Sequence, residues 1–268
     1  MDRGARTEQI VAMLSKGMIE PRITVVGCGG AGNNVVQRVF EDCRTRVETV
    51  AVNTDEKKLD SIEADKKVLI GKDVTNGNGA SGFPEVGEYC ADRARGAFKQ
   101  VLEGSDIVII VAGMGGGTGT GAAPVIAEVS KELDAVTFAI AINPFSYEDE
   151  RLKKAGEGIR RLREITETTV VLDNDRLLQL AGDATVSEAF AVMDRSIIKI
   201  IDSLCLQISE SFISQITPEI EEMVQRIDEE EKVLSPLAAP EAALIHASIG
   251  ELERGQPATE LPDPADLR

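Results

Sequence analysis

Short, nearly continuous runs of apolar residues alternate along the chain with stretches in which apolar residues recur every three or four positions. The continuous runs predict buried strands, and the periodic stretches predict helices. Their alternation predicts an α/β fold, a Rossmann-like parallel sheet with helices on both faces. The predicted strands are Arg22–Val26, Val47–Val52, Lys67–Ile70, Asp106–Ala112, Ala135–Ile142 and Thr168–Leu172.

The second half of the chain is predicted to be helical and then irregular. A long central helix is predicted over residues 186–215, where apolar residues repeat at helical spacings. Pro218 suits the first turn of a separate short helix that ends near Leu234. We therefore predict a helical N-terminal extension at 1–20, a main domain at 21–217, and an acidic helical segment with a flexible tail at 218–268.

Composition excludes several classes of function. The net charge of −17 and the 3% aromatic content argue against binding of nucleic acid, which needs basic and stacking surfaces. His246 is the only histidine, so a Ser-His-Asp triad or a histidine-ligated metal in the main domain is excluded. The four cysteines contain no C-x-x-C pair. No apolar stretch reaches transmembrane length, and we predict a cytoplasmic protein.

A first glycine loop, Gly27–Gly32 with the sequence GCGGAG, lies between a predicted strand and a predicted helix. It matches the G-x-G-x-x-G fingerprint, and Asp55 follows about 20 residues later. Glycines at such a turn let backbone N–H groups approach phosphates at the positive end of a helix. This loop alone leaves two alternatives open, an NAD-binding oxidoreductase and a purely structural turn.

Two further glycine loops favour a nucleotide with several phosphates. The second loop, Gly113–Gly121, again joins an apolar strand to a helix and contains two threonines among its glycines. A structural turn does not need so many residues without a Cβ atom, whereas an anion-binding loop does. The third loop is Gly77–Gly82. A standard NAD domain has one such loop, so three loops predict that the phosphates of a purine nucleotide are bound.

At these motifs the sequence resembles the FtsZ/tubulin family of GTPases, over about residues 21–214. The motifs that carry the resemblance are GCGGAGNN at 27–34, Asn53-Thr54-Asp55, GNGASGFPEVG at 77–87, GGGTGTGAAP at 115–124, Asn143-Pro144-Phe145 and Asn174-Asp175-Arg176. The resemblance implies a Rossmann-like nucleotide-binding domain with a long central helix. It also implies that GTP or GDP is bound.

The resemblance further implies roles for individual residues. The α/β-phosphates would lie near Gly29, Gly30, Ala31 and Asn34, and the γ-phosphate near Ala80, Ser81 and Gly82. The second loop would hold the β/γ-phosphates through Gly115, Gly116, Gly117, Thr118, Gly119 and Thr120. The remaining implied contacts are Asn53, Glu148 and Arg151, with Asn174, Phe190 and Asp194 near the base. Asp55 is a candidate to bind Mg²⁺ through a water molecule.

The acidic loop with which this family hydrolyses GTP across a subunit interface is not recognisable in the sequence. Its three positions, counted from Asp194 without gaps, are occupied by Gln215, Thr217 and Ile220. The family's C-terminal domain is also expected to be missing, because only 51 residues follow Thr217. Both features predict a GTP/GDP-binding assembly or switch module that hydrolyses little GTP and forms no ordinary head-to-tail filaments alone.

Three functions therefore remain open at the level of the sequence. The favoured one is a nucleotide-dependent module that forms a homodimer, or that assembles with FtsZ-type or membrane-remodelling proteins. The second is an active GTPase of the cytoskeleton that hydrolyses GTP at a subunit interface. The third is an NAD-dependent oxidoreductase, which rests on the first glycine loop alone.

Overall fold

The computed structural model describes residues 21–43, 45–176 and 186–234. The predicted N-terminal helix at 1–20 and the predicted tail beyond residue 234 lie outside the described residues. The elements, in chain order, are β1 Ile23–Cys28, α1 Gly29–Asp42, β2 Glu48–Asn53, α2 Glu56–Asp60, β3 Lys66–Leu69, α3 Lys72–Thr75, α4 Pro84–Arg93, α5 Arg95–Leu102, β4 Ile107–Gly113, α6 Thr118–Glu132, β5 Val136–Asn143, α7 Asp149–Ile165, β6 Thr168–Asp173 and α8 Val186–Leu234.

The six described strands form one parallel sheet in the order β3-β2-β1-β4-β5-β6. This confirms the predicted parallel α/β fold. Strands β1 and β4 are adjacent at the centre, with Gly27 opposite Val111 and Cys28 opposite Ala112. Strands β2 and β3 lie on one side of this pair, and β5 and β6 lie on the other. Parallel sheets of this kind bind ligands in the crevice at the carboxyl ends of the two central strands, here β1 and β4.

Both faces of the sheet are buried, which explains why its strands are apolar without a break. Alternate residues of β4 face opposite sides: Val108 and Ile110 belong to one core, and Ile109 and Val111 to the other. Residues of α4 to α7 cover the first core. Residues of α1, α2 and the first part of α8 cover the second, where Ile197 and Ile201 are fully buried.

The predicted break in the long helix is wrong. Helix α8 is continuous from Val186 to Leu234 and contains Pro218, where the sequence predicted a new helix. Proline lacks the N–H that a helix interior uses, at a cost of about 3 kcal/mol, but its fixed φ is itself helical. Glu219, Glu221 and Glu222 follow Pro218 and favour a helix, and Glu222 pairs with Arg226 at 2.6 Å. Residues Ile19–Ile213 form one compact unit.

The sequence also missed α2, α3 and α4, which lie in the polar, glycine-rich part of the chain. Helix α4 begins immediately after the third glycine loop, with Pro84 in its first turn. The hydrophobic periodicity of α4 is weak because its buried residues are small. They are Gly87, Cys90 and Ala91. None of the described helices is both long and apolar enough to cross a membrane.

Helices α4 and α6 pack with their backbones in contact at Gly121. A Cβ atom there would overlap the carbonyl oxygen of Pro84 and lie 2.5 Å from the amide nitrogen of Glu88. We predict that Gly121→Ala lowers the free energy of unfolding by about 2 kcal/mol, despite the better helix propensity of alanine.

Gly156, in the middle of α7, is the matched control because no atom lies within 4 Å of the position that a Cβ would occupy there. Gly156→Ala should raise the free energy of unfolding by about 0.5–1 kcal/mol. Urea unfolding of the two variants measures both values. Equal effects of the same sign would contradict the proposed helix–helix contact.

Candidate functional site

The three glycine loops meet at the carboxyl ends of the central strands. A Cβ atom on Gly29 would lie 3.0 Å from the amide nitrogen of Gly119, which joins the first loop to the second. A Cβ on Gly117 would lie 2.7 Å from the Cβ of Ala80, which joins the second loop to the third. The structure therefore brings together residues from three separate segments that the sequence predicts to bind phosphate.

At other positions in these loops there is open space. No atom lies within 4 Å of a Cβ built on Gly30 or Gly82, and on Gly116 only the Arg151 guanidinium comes as near as 4.0 Å. No close contact with neighbouring atoms requires glycine at these three positions, although the positive φ of Gly82 favours it. Their missing side chains instead leave room above the loops. We call Gly30, Gly82 and Gly116 the open glycines.

Helices α1 and α6 begin in the first and second loops and direct their unsatisfied N–H groups toward this space. Neither helix has a side-chain hydrogen bond at its N-cap, and neither has an acidic residue in its first turn. By contrast, α7 carries Asp149 and Glu150 in its first turn. The partial positive ends of α1 and α6 are thus left without a carboxylate of their own, which suits an anionic ligand.

The two threonines of the second loop are held by the protein itself. The hydroxyls of Thr118 and Thr54 lie 2.7 Å apart, and both residues are buried. The hydroxyl oxygen of Thr120 accepts from the amide nitrogen of Gly115 at 2.8 Å. Both hydroxyls therefore contribute to loop geometry, in addition to the phosphate contact that the sequence predicts for them.

Asn33 connects the first loop to β2, a role that the sequence analysis did not predict. With its amide oriented to satisfy its surroundings, its nitrogen donates to the carbonyl oxygens of Gly27, Gly29 and Val52, at 2.8 to 3.3 Å. Its oxygen accepts from Asn53 Nδ2 at 3.0 Å. The helical periodicity of α1 could have identified Asn33 as buried, because it lies three residues before buried Val36. Asn34 lies on the exposed face of the same helix.

Asp55, the predicted magnesium residue, lies immediately after β2 at the same edge of the sheet. Its Oδ1 accepts from the amide nitrogen of Lys58 at 3.1 Å and caps α2, and its Oδ2 lies 3.5 Å from Lys58 Nζ. In the described part of the chain, no cluster of three or more histidine, cysteine, aspartate or glutamate side chains could hold a metal ion. A cation here would need phosphate oxygens as its main ligands.

Glu148 and Arg151 lie against the second loop at the start of α7. Glu148 Oε1 accepts from the amide nitrogen of Phe145 at 3.1 Å, and Glu148 Oε2 pairs with Arg151 Nη1 at 2.5 Å. A Cβ on Gly115 would lie 2.6 Å from the carbonyl oxygen of Arg151. The pair is thus close to the open glycines, and the ion pair orients the guanidinium.

The residues predicted to contact the base lie on two different elements. Asn174 follows β6 and is 7% exposed, and its Oδ1 has no hydrogen-bond partner among the described residues. Such a buried acceptor is costly unless a ligand satisfies it. Asp194 lies on α8, and burial raises the pKa of its carboxyl, an effect that Arg38 and Arg195 oppose. The side chain of Phe190 lies outside the described residues.

The cysteine of the first loop is not a nucleophile. Cys28 is fully buried, and burial raises the pKa of its thiol to about 12. A thiol with this pKa is protonated at neutral pH and therefore unreactive. All four cysteines are free. The chemistry of the site is that of hydrogen-bond donors and backbone dipoles.

Comparison with known proteins identifies the domain. Residues 22–182 match the family model described as "Tubulin/FtsZ family, GTPase domain". The chain belongs to the Tubulin/FtsZ family. The resemblance inferred from the glycine motifs is thereby confirmed, and the NAD-dependent oxidoreductase is not favoured. The match covers all three glycine loops, Glu148, Arg151 and Asn174.

Several cell division proteins are similar to this chain. FtsZ 2 of Methanocaldococcus jannaschii is 48% identical over 178 residues, which are 66% of this chain and 47% of the relative. FtsZ 2 of Halobacterium salinarum is 45% identical over 191 residues, which are 71% of this chain and 49% of the relative. The chain thus spans about half the length of the curated Tubulin/FtsZ relatives it matches.

Solved structures of similar proteins have the same fold as this chain. An FtsZ dimer from M. jannaschii, described as empty, superposes with a TM-score of 0.71 at 41% identity, covering 75% of this chain and 59% of that one. CetZ from Methanosaeta thermophila gives a TM-score of 0.58 at 21% identity, covering 68% of this chain and 53% of that one, and supports the fold alone.

We predict that Asn33→Asp lowers the free energy of unfolding by about 2–3 kcal/mol at pH 7, because a carboxylate would replace the donor that faces three carbonyl oxygens. Asn34→Asp, one residue along on the exposed face, is the matched control and should change it by less than about 0.5 kcal/mol. Urea unfolding measures both. Similar values for the two variants would show that Asn33 does not hold the loop.

Proposed function

We propose that this chain binds GTP or GDP at the junction of its three glycine loops. The observation that carries the proposal is the set of open glycines beside the uncapped N-termini of α1 and α6. The space above them is bordered by backbone donors that no acidic side chain of the first turns neutralises. A chain of phosphates fits that arrangement in charge and in hydrogen-bonding character.

The residues predicted to contact the base favour binding of guanine over adenine. The buried Oδ1 of Asn174, which no described residue contacts by a hydrogen bond, is an acceptor for a donor on the ligand. The ionised Asp194 carboxylate is a second acceptor, and guanine presents N1–H and an exocyclic amine as donors. Its raised pKa means that Asp194 loses this acceptor form at a higher pH than an ordinary aspartate. Mg²⁺ would join the phosphates to Asp55 through water.

Nucleotide binding can be tested at Gly116 without disturbing the fold. The open space around its Cβ position predicts that Gly116→Ala leaves the melting temperature unchanged but weakens binding of a fluorescent GDP by about tenfold, because the methyl group enters the phosphate space. Gly156→Ala, equally open but in mid-α7, should bind as the unchanged chain does. Unaltered affinity in Gly116→Ala would place the nucleotide elsewhere.

We further propose that this chain alone hydrolyses GTP slowly or not at all. The positions implied by the resemblance to carry the family's catalytic carboxylates are Gln215, Thr217 and Ile220, which cannot act as general bases. These positions lie inside the continuous helix α8. A helical backbone at these positions, with no carboxylate on them, supports binding without efficient hydrolysis. An active GTPase would require acidic groups from another segment or from a partner.

The same features support a role in nucleotide-dependent assembly. The similar M. jannaschii structure is described as a dimer, and the glycine loops of this chain lie at one edge of its sheet. We propose that this face contacts a second copy of the chain, an FtsZ-type partner or a membrane-remodelling protein when nucleotide is bound. The expected product is a discrete complex, and no filament is expected from the chain alone.

Phosphate release and light scattering on one purified sample test both statements. With GTP, we expect release at least about 100-fold slower than from M. jannaschii FtsZ 2 in the same assay, because the carboxylates that polarise water are absent. The rate per molecule should not rise with protein concentration, and scattering should report a particle of fixed size. A rate per molecule that rises with concentration, together with filament growth, would show that other acids replace the missing ones.

A further inference from the structure

The third glycine loop and the residue before it include positive φ angles at residues that are not glycine. Positive φ angles occur at Asn76, Gly77, Gly79, Ser81 and Gly82. Two of these residues carry side chains, and L-residues with side chains adopt the left-handed region only at an energetic cost. The loop therefore depends on contacts with the rest of the domain to keep this shape.

One of these contacts comes from Lys154, on the second turn of α7. Its Nζ donates to the carbonyl oxygen of Gly82 at 3.0 Å. The same ammonium lies 5.6 Å from the centre of the Phe83 ring, over its face. The Lys154 side chain is 28% exposed. It is thus fixed by a charged hydrogen bond and a cation–π contact at once.

These two contacts fall on the joint between the loop and α4. Gly82 is the last residue of the loop, and Phe83 is the N-cap of α4. The Phe83 ring is 56% exposed, so packing in the core does not hold it. Lys154 also pairs with Glu150 at 3.4 Å, but the Glu150 side chain is 88% exposed, so this ion pair adds little. Lys154 therefore draws the end of the loop toward α7.

Helix α7 also borders the second loop, since its Arg151 lies against Gly115 and Gly116. Lys154 follows Arg151 by three residues and therefore projects from a neighbouring position on the same face. One helix thus contacts both loops, in addition to the direct approach of Gly117 to Ala80. The position of the third loop relative to the second matters for a ligand that must touch both.

We propose that Lys154 is a positioning residue for Ser81 and Gly82, and that it sets the preference of this chain for a nucleoside triphosphate over a diphosphate. The inference rests on the proposed nucleotide site, in which Ala80–Gly82 face the third phosphate and the second loop holds the other two. Loss of the Lys154 contact releases only the loop that a diphosphate does not reach. The triphosphate alone then loses contacts.

The test compares Lys154→Met, Lys154→Arg and Lys153→Met by calorimetric titration with GDP and with a non-hydrolysable GTP analogue. Lys154→Met keeps the length of the side chain and removes its charge and donor. We expect about fivefold to tenfold weaker binding of the triphosphate and less than about twofold change for GDP. Lys154→Arg should restore the triphosphate affinity because it retains a charged donor.

Lys153→Met is the matched control, since it removes the same charge from an exposed position one residue away. It should leave both affinities unchanged. An equal loss for both nucleotides in Lys154→Met, or no loss for either, would overturn the inference. If the unaltered chain binds neither nucleotide, the proposed function itself fails. Binding of both with an unchanged preference in the variant refutes only the role of Lys154.

Discussion

The close approach of backbones around the central strands is the constraint on which this structure depends. Strands β1 and β4 lie side by side; helix α1 begins directly after β1, and four residues separate the end of β4 from the start of α6. A Cβ at Gly32 would overlap the carbonyl oxygen of Val111, and a Cβ at Gly119 would overlap that of Gly113. Because side chains are absent at these points, the first turns of both helices can lie against the sheet. This places two helix N-termini beside one another.

Two classes of glycine follow from this geometry, and they have different consequences. Those at Gly32, Gly119 and Gly121 are required by the protein's own packing. The open glycines are not, and the space above them is available to a ligand. A glycine-rich sequence alone does not distinguish the two classes. The distinction explains why one loop can be essential for the fold at some positions and for ligand binding at others.

Buried polar groups then hold the loops in register around that space. Asn33 satisfies carbonyl oxygens of the first loop and of β2, and the hydroxyl pair of Thr54 and Thr118 joins the end of β2 to the second loop. Such a network is stabilising only when its members are satisfied. The exception is Asn174, whose oxygen has no hydrogen-bond partner in the described part of the chain and which the resemblance places near the base. An unsatisfied group in an otherwise satisfied site points to a ligand.

The sequence by itself determined the fold class, the order of strands and helices along the chain, and the family, because apolar runs and glycine motifs are local signals. The tertiary structure alone decided which segments meet. Residues that are far apart in the sequence come into contact when the sheet forms: Gly29 with Gly119, Gly117 with Ala80, and Lys154 with Gly82. The sequence also could not show that α8 continues through Pro218, since a proline locally predicts a break although its fixed φ is compatible with a helix. Nor could it find α4, whose small buried residues give little periodicity. Local patterns record what each segment prefers, whereas a binding site depends on which segments the packing brings together.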